Sequence, residues 1–233
     1  MTETDGAAVR TEGVWKIFEQ EAEEVQAVRD VSLVIERGEF TALAGPSGSG
    51  KTTLLNLTGG LTRPSRGRVW VAGQEISEMS NKDLARLRLT EVGFVFQAYN
   101  LLPVLTAMEN AEFPMLLQGV AADERVRRVR ELFERTGMTG LEDRRPGKLS
   151  GGQQQRVAVV RAVVSKPALV LADEPTANLD SQASEALLDV MHELNEELGV
   201  TFVFATHDTR VMDRSRRLIR MVDGAIDSDE TRS

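Results

Sequence analysis

The segment Gly45-Pro46-Ser47-Gly48-Ser49-Gly50-Lys51-Thr52-Thr53 constrains this chain more than any other. A β-rich run over residues 40–44 precedes it, and residues 51–57 read as the start of a helix, so the glycines occupy a strand-to-helix turn. Gly45, Gly48 and Gly50 let successive backbone N–H groups turn inward, and the helix N-terminus adds the positive end of its dipole. Lys51 supplies a point charge and Thr52 a hydroxyl able to ligate Mg²⁺. The pattern reads as a cradle for phosphates, and its plainer alternative is a glycine turn that caps a helix.

A second feature lies far along the chain. In Ala168-Leu169-Val170-Leu171-Ala172-Asp173-Glu174-Pro175 an unbroken apolar run suits a strand buried on both faces, and it ends in two carboxylates. Ligands of parallel sheets bind at the carboxyl ends of strands. Asp173 is therefore expected to hold Mg²⁺ through its water shell. Glu174, projecting to the other side of the strand, is expected to orient and deprotonate a water. The plainer alternative is an acidic turn before Pro175.

Leu149-Ser150-Gly151-Gly152-Gln153 opens a third helical stretch, with Ser150 and Gln153 at capping-box spacing. Capping leaves the two glycines unexplained, since each costs about 1 kcal/mol relative to Ala in a helix. Bare backbone at a helix N-terminus suits close approach to a phosphate, so Ser150, Gly151, Gly152 and Gln153 are expected to contact one.

Between these motifs, β-rich runs cover residues 25–35, 69–72 and 93–96, and the N-terminal third reads mostly as strand. Residues 106–137 change to helical spacing, with Val126, Val129, Leu132 and Phe133 on one face. A helix from Ser150, a strand at 168–172, a helix at 181–198 and a strand at 200–205 then alternate as a parallel sheet requires. Residues 1–233 thus read as one α/β domain with a helical lobe. His192, beside Glu193, is expected to face solvent.

The formal charge of −8, with no long Lys/Arg run, argues against nucleic acid as a partner. The absence of Cys excludes disulfides and thiolate chemistry. Residues 1–9 carry Glu3 and Asp5 and no apolar core, so the chain is expected to start near Met1 without a secretory signal and to stay in the cytoplasm. No apolar run approaches the roughly 20 residues that span a bilayer, so any membrane association comes through a partner.

With the phosphate loop, the Ser150–Gln153 segment and the acidic strand end following one another in that order, the chain resembles the ABC ATPases along nearly its whole length. The resemblance implies a phosphate-loop nucleotide-binding fold with a mainly parallel core sheet, an N-terminal antiparallel β subdomain and a helical signature lobe. It places the core at about 1–97 and 165–233 and the lobe at about 98–164. It implies ATP and Mg²⁺ as cofactors and ATP hydrolysis as the activity. Phe18, where the family more often has Tyr, would stack on adenine. Gln97 would serve Mg²⁺ and catalysis, Asn178-Leu179-Asp180 would form a dimer loop, and His207 would be the switch histidine beside Lys51 and Glu174. Taken singly, Phe18 is as readily a strand core residue, Gln97 a loop amide, Asp180 a helix N-cap and His207 a satisfied imidazole.

The resemblance further implies a head-to-tail homodimer in the ATP state, with Ser150 to Gln153 of one copy closing over ATP held by Lys51 of the other. The stretch from Gly93 to Asn110 is similar to the subgroup serving lipoprotein release and macrolide export. An integral membrane permease would dock near Gln97 to Met115, and the protein would sit at the cytoplasmic face of the inner membrane. Small-molecule uptake, a cell-division role and a soluble ATPase acting on chromosomes or ribosomes stand as alternatives.

Overall fold

The computed structural model describes residues 6–20 and 23–232, with Gln20 and Glu23 as backbone only. The strands are β1 (Ala7–Gln20), β2 (Glu23–Glu36), β3 (Phe40–Ala44), β4 (Arg66–Val71), β5 (Gln74–Glu75), β6 (Val92–Phe96), β7 (Leu169–Asp173), β8 (Phe202–Thr206), β9 (Arg217–Val222) and β10 (Ala225–Thr231). The helices are α1 (Lys51–Thr58), α2 (Asn81–Glu91), α3 (Ala107–Leu117), α4 (Ala122–Arg135), α5 (Gly151–Val163), α6 (Ser181–Leu198) and α7 (Thr209–Arg214).

Two sheets form. One is antiparallel, in the order β2-β1-β4-β5. The other runs β10-β9-β3-β8-β7-β6, parallel except for β10 on β9. Alternation along β7 divides the apolar interior. Leu169 and Leu171 pack with Leu54, Leu55 and Leu57 of α1 and with the antiparallel sheet. Val170 and Ala172 pack with α5, α6 and the helices over residues 107–135. A strand covered on both faces needs apolar residues at every position, which is why the run before Asp173 is unbroken.

The structure corrects the sequence reading at several elements. β1 lacks a continuous alternation because Gly13, at φ 54°, faces Asp30, at φ 50°, where the β1–β2 register slips. α2 buries only Leu84 and Leu87, a stripe too thin to stand out. The β9–β10 hairpin was not anticipated either. His192 is half-buried with its ring centroid 5.6 Å from that of Phe40, because this turn of α6 faces the sheet.

Candidate functional site

The loop 45–50 runs from the end of β3 to the start of α1, where Gly50 (φ 97°) is the N-cap and no side chain caps the helix. The first N–H groups of α1 therefore remain available to an anion. A cavity of about 520 Å³ opens there, walled by Gly48, Gly50, Lys51, Thr52 and Thr53 on one side and by Val25, Ala27, Arg29 and Asp223 on the other. A Cβ on Gly50 would lie 2.3 Å from the Ala27 carbonyl oxygen, so that glycine is required by the backbone of β2 as well as by any ligand. Buried Lys51 donates to the carbonyls of Gly45 (2.7 Å) and Pro46 (2.9 Å), and its Nζ lies 3.5 Å from Ser49 Oγ. The ammonium is thus held inside the loop that it serves. Pro46, Ser47 and Gly48 are exposed at the tip.

Across the sheet, β7 lies beyond β8 from β3 and ends at Asp173, whose Oδ1 accepts a hydrogen bond from Thr52 Oγ1 at 3.0 Å. Burial raises the Asp173 carboxyl above the usual aspartate range, and Glu174 adds to this, while Thr52 and Lys51 oppose it. Glu174 does not continue the strand. Its φ is 47°, and its N–H bonds the Ala205 carbonyl, which swings the side chain toward β8. There Oε1 lies 2.7 Å from His207 Nδ1, and Oε2 accepts from Thr206 Oγ1 at 3.2 Å. The two carboxylates do take separate directions, through a left-handed backbone turn and not through strand alternation.

A hydroxyl and a carboxylate facing each other are hard oxygen donors. Among the described residues no three His, Cys, Asp or Glu side chains form a metal cage. That set suits Mg²⁺, which keeps several waters and binds substrate phosphates. Gln97, expected beside them, instead donates from Nε2 to Asn178 Oδ1 (3.2 Å), and Asn178 Nδ2 donates back to the Gln97 carbonyl (3.0 Å). The loops after β6 and β7 are thereby tied together.

At α5 the capping box is formed. Gln153 N donates to Ser150 Oγ at 3.3 Å and Ser150 N to Gln153 Oε1 at 2.9 Å. The two glycines also have a reason within the chain. A Cβ on Gly151 would lie 2.8 Å from the Tyr99 hydroxyl, and one on Gly152 would lie 3.3 Å from Ala183 Cβ. The inference that capping leaves only phosphate approach to explain them is therefore corrected. Asp180 is the N-cap of α6, accepting from Ala183 N at 2.8 Å. Leu179 is partly buried against the helical core.

Phe18 is 40% exposed, which overturns its reading as a core residue. It pairs across β1–β2 with Val25, a wall of the cavity, and Lys16 Nζ lies 4.9 Å from its ring centroid. Directly opposed cross-strand partners share a face, so Phe18 lies on the same face of the sheet as Val25 without itself walling the cavity. The sequence reading missed Asp208. Its carboxylate accepts from Thr176 Oγ1 (2.7 Å) and from the Arg210 backbone and guanidinium, joining the loop after β7 to the one after β8. Burial pushes this carboxyl up, but the bonds from Arg210 and Thr176 hold it below the usual aspartate range.

A second concavity, of about 710 Å³, lies between α2, β6, α3 and α5 over the stacked rings of Phe94 and Phe96. Of the stretch 97–115 expected to dock a partner, Asn100, Phe113 and Pro114 line this groove. Further walls come from Leu61, from α2 (Ala85, Arg88, Leu89), from β6 and from α5, segments the sequence reading did not connect. No helix among the described residues is long and apolar enough to cross a membrane.

A family model described as "ABC transporter" matches residues 28–177. The chain belongs to the ABC transporter family. It is an ATP-binding, ATP-hydrolysing subunit of that family, and its fold is that of the ABC cassettes. It is 48% identical over 200 residues to the lipoprotein-releasing system ATP-binding protein LolD of Anaeromyxobacter dehalogenans, covering 85% of this chain and 84% of that one. It is 43% identical over 229 residues to the macrolide export ATP-binding/permease protein MacB 1/2 of Paracoccus denitrificans, covering 98% of this chain but 34% of that protein. A dimeric post-hydrolysis structure of the ATP-binding cassette MJ0796 bound to ADP and Pi superposes with a TM-score of 0.87 at 38% identity, covering 96% of this ABC subunit and 98% of that chain.

Proposed function

We propose that this ABC subunit hydrolyses ATP at its phosphate loop to drive an integral membrane permease of the lipoprotein-release or macrolide/peptide-export kind, acting as a head-to-tail homodimer. The observation that carries the chemistry is the approach of Thr52 to Asp173 beside a Glu174 already held by His207. The free N–H groups of α1 and the Lys51 ammonium bind the β- and γ-phosphates, and the Phe18 face receives the adenine. Thr52 and Asp173 would hold Mg²⁺, and Gln97 would join them once freed from Asn178. When bound, the ion would supply charge neutralisation at the phosphate oxygens. Glu174 accepts a proton from the water that attacks the γ-phosphorus in line, the bond to the β–γ bridging oxygen breaks, and ADP and phosphate leave. His207 keeps the carboxylate aimed.

Dimeric cassettes among the solved relatives support the closure of two copies, in which Ser150, Gly151, Gly152 and Gln153 of one meet the γ-phosphate held by the other. Asn178, Leu179 and Asp180 would line the seam. The helical lobe, about 98–164, would move as a unit against a core of about 1–97 and 165–233. The Phe94–Phe96 groove, wider than residues 97–115, would receive a cytoplasmic helix of the permease, which holds the subunit at the cytoplasmic face of the membrane. The likeness to LolD and MacB supports this partner class.

Ser150→Arg tests the shared site. Nucleotide should still bind the monomer while ATPase activity is lost, and wild-type turnover would refute the shared site. Copurification of the Glu174→Gln protein with a few-span permease bearing a large extracytoplasmic domain would support the export reading. A many-span permease would favour uptake instead.

A further inference from the structure

Gln155 lies five residues beyond the N-cap Ser150, on the buried side of α5. Its Nε2 donates to two backbone carbonyls, Phe96 O at 3.3 Å and Pro175 O at 2.8 Å. Phe96 immediately precedes Gln97, and Pro175 immediately follows Glu174. These carbonyls sit where β6 and β7 end side by side, Phe96 opposite Asp173 in the ladder. Both N–H groups of one amide are thus spent on the two loops that carry the site's chemistry. Arg161, farther along α5, donates to the Tyr99 (2.9 Å) and Asn100 carbonyls (2.6 Å), so it grips the first loop alone. Among the described residues, Gln155 is the α5 side chain that hydrogen-bonds to both.

The Oε1 of the same amide is buried with no partner. An unmatched acceptor is destabilising, so an apolar side chain of this shape would support the packing better if packing were its only role. What an apolar side chain cannot do is fix two carbonyls relative to the helix.

We propose that Gln155 is a positioning residue that makes the alignment of Gln97 and Glu174 depend on where α5, and hence its Ser150–Gly151–Gly152 end, is seated. When that end closes on a partner's nucleotide, the displacement of α5 passes through one rigid amide to both loops. This extends the proposed function, because it requires the N-terminus of α5 to be the surface that meets ATP.

The test compares Gln155→Met, which keeps the length but removes both donors, with Gln155→Asn, which keeps the amide and withdraws it by one methylene. For either folded variant, kcat for ATP should fall by about tenfold to a hundredfold, the range expected when a reacting group is misplaced by about 1 Å. KM and the Kd for ATP should stay within about twofold of wild type. Asn serves if Met does not fold. A folded variant with wild-type kcat, or one whose loss lies in KM, overturns the proposal. ATP-driven dimerisation of Glu174→Gln is measured alongside. Failure of that variant to dimerise would sink the shared-site reading itself, whereas dimerisation with undiminished turnover in the Gln155 variants would sink only the positioning role.

Discussion

Replacing Glu174 with Gln separates chemistry from structure more sharply than any other change at this site. The carboxylate is 20% exposed and makes two contacts, His207 Nδ1 at 2.7 Å and Thr206 Oγ1 at 3.2 Å. An amide of the same shape keeps one oxygen acceptor, and its NH₂ can donate to a hydroxyl or to an unprotonated imidazole nitrogen. No hydrogen bond need be lost, so the change in folding stability should stay within about 1 kcal/mol. The amide cannot take a proton from water, however. Loss of a general base removes about 10² to 10⁴ in rate, equivalent to about 3–5 kcal/mol of barrier at 1.36 kcal/mol per tenfold. Phosphate release at saturating ATP should drop by that factor while nucleotide affinity and the urea midpoint remain near wild type. Turnover within about threefold of wild type, in a folded variant that binds ATP, would refute the assignment of Glu174 as the base.

Two further predictions concern the frame that holds the site. A Cβ on Gly93 would lie 2.2 Å from the Ala162 carbonyl oxygen and 2.9 Å from its carbon, so in Gly93→Ala β6 and α5 must separate. The expected loss is about 1–3 kcal/mol, read as a lower denaturant midpoint, and an unchanged midpoint would contradict the close packing. Because the folded Asp208 carboxyl titrates below its unfolded value, its stabilisation is present above the ordinary aspartate range and is lost as pH falls through the depressed value. Asp208→Asn should therefore be less stable than wild type at pH 7, with the gap narrowing below about pH 4. A gap that stays constant from pH 7 to pH 3 would count against the Arg210 and Thr176 contacts.

The elements easiest to read from the chain were those whose signals are contiguous. The strand entering the phosphate loop, the unbroken run before Asp173 and the Ser150–Gln153 box each declare themselves within about eight residues, because backbone conformation, capping and two-sided burial act locally. The bounds of β1 were not legible because a bulge at Gly13 and Asp30 broke its period, and α2 escaped because a two-residue stripe was too thin to show. The glycines of α5 stand out in the sequence, but the neighbours that crowd them, the Tyr99 hydroxyl and Ala183, come from distant segments.

What the chain determined by itself was therefore the inventory: a loop able to cradle phosphates, a strand ending in two carboxylates, and a glycine-bearing capped helix. Which of these meet was decided by the order of strands in the parallel sheet, with β8 between β3 and β7, and by the turn at Glu174. Thr52 reaches Asp173 across 121 residues of sequence, Glu174 faces His207 instead of solvent, and Gln155 and Asp208 bridge loops that no local pattern links. Strand adjacency is a property of the packed sheet and not of any segment, so these pairings exist only once the whole core has formed.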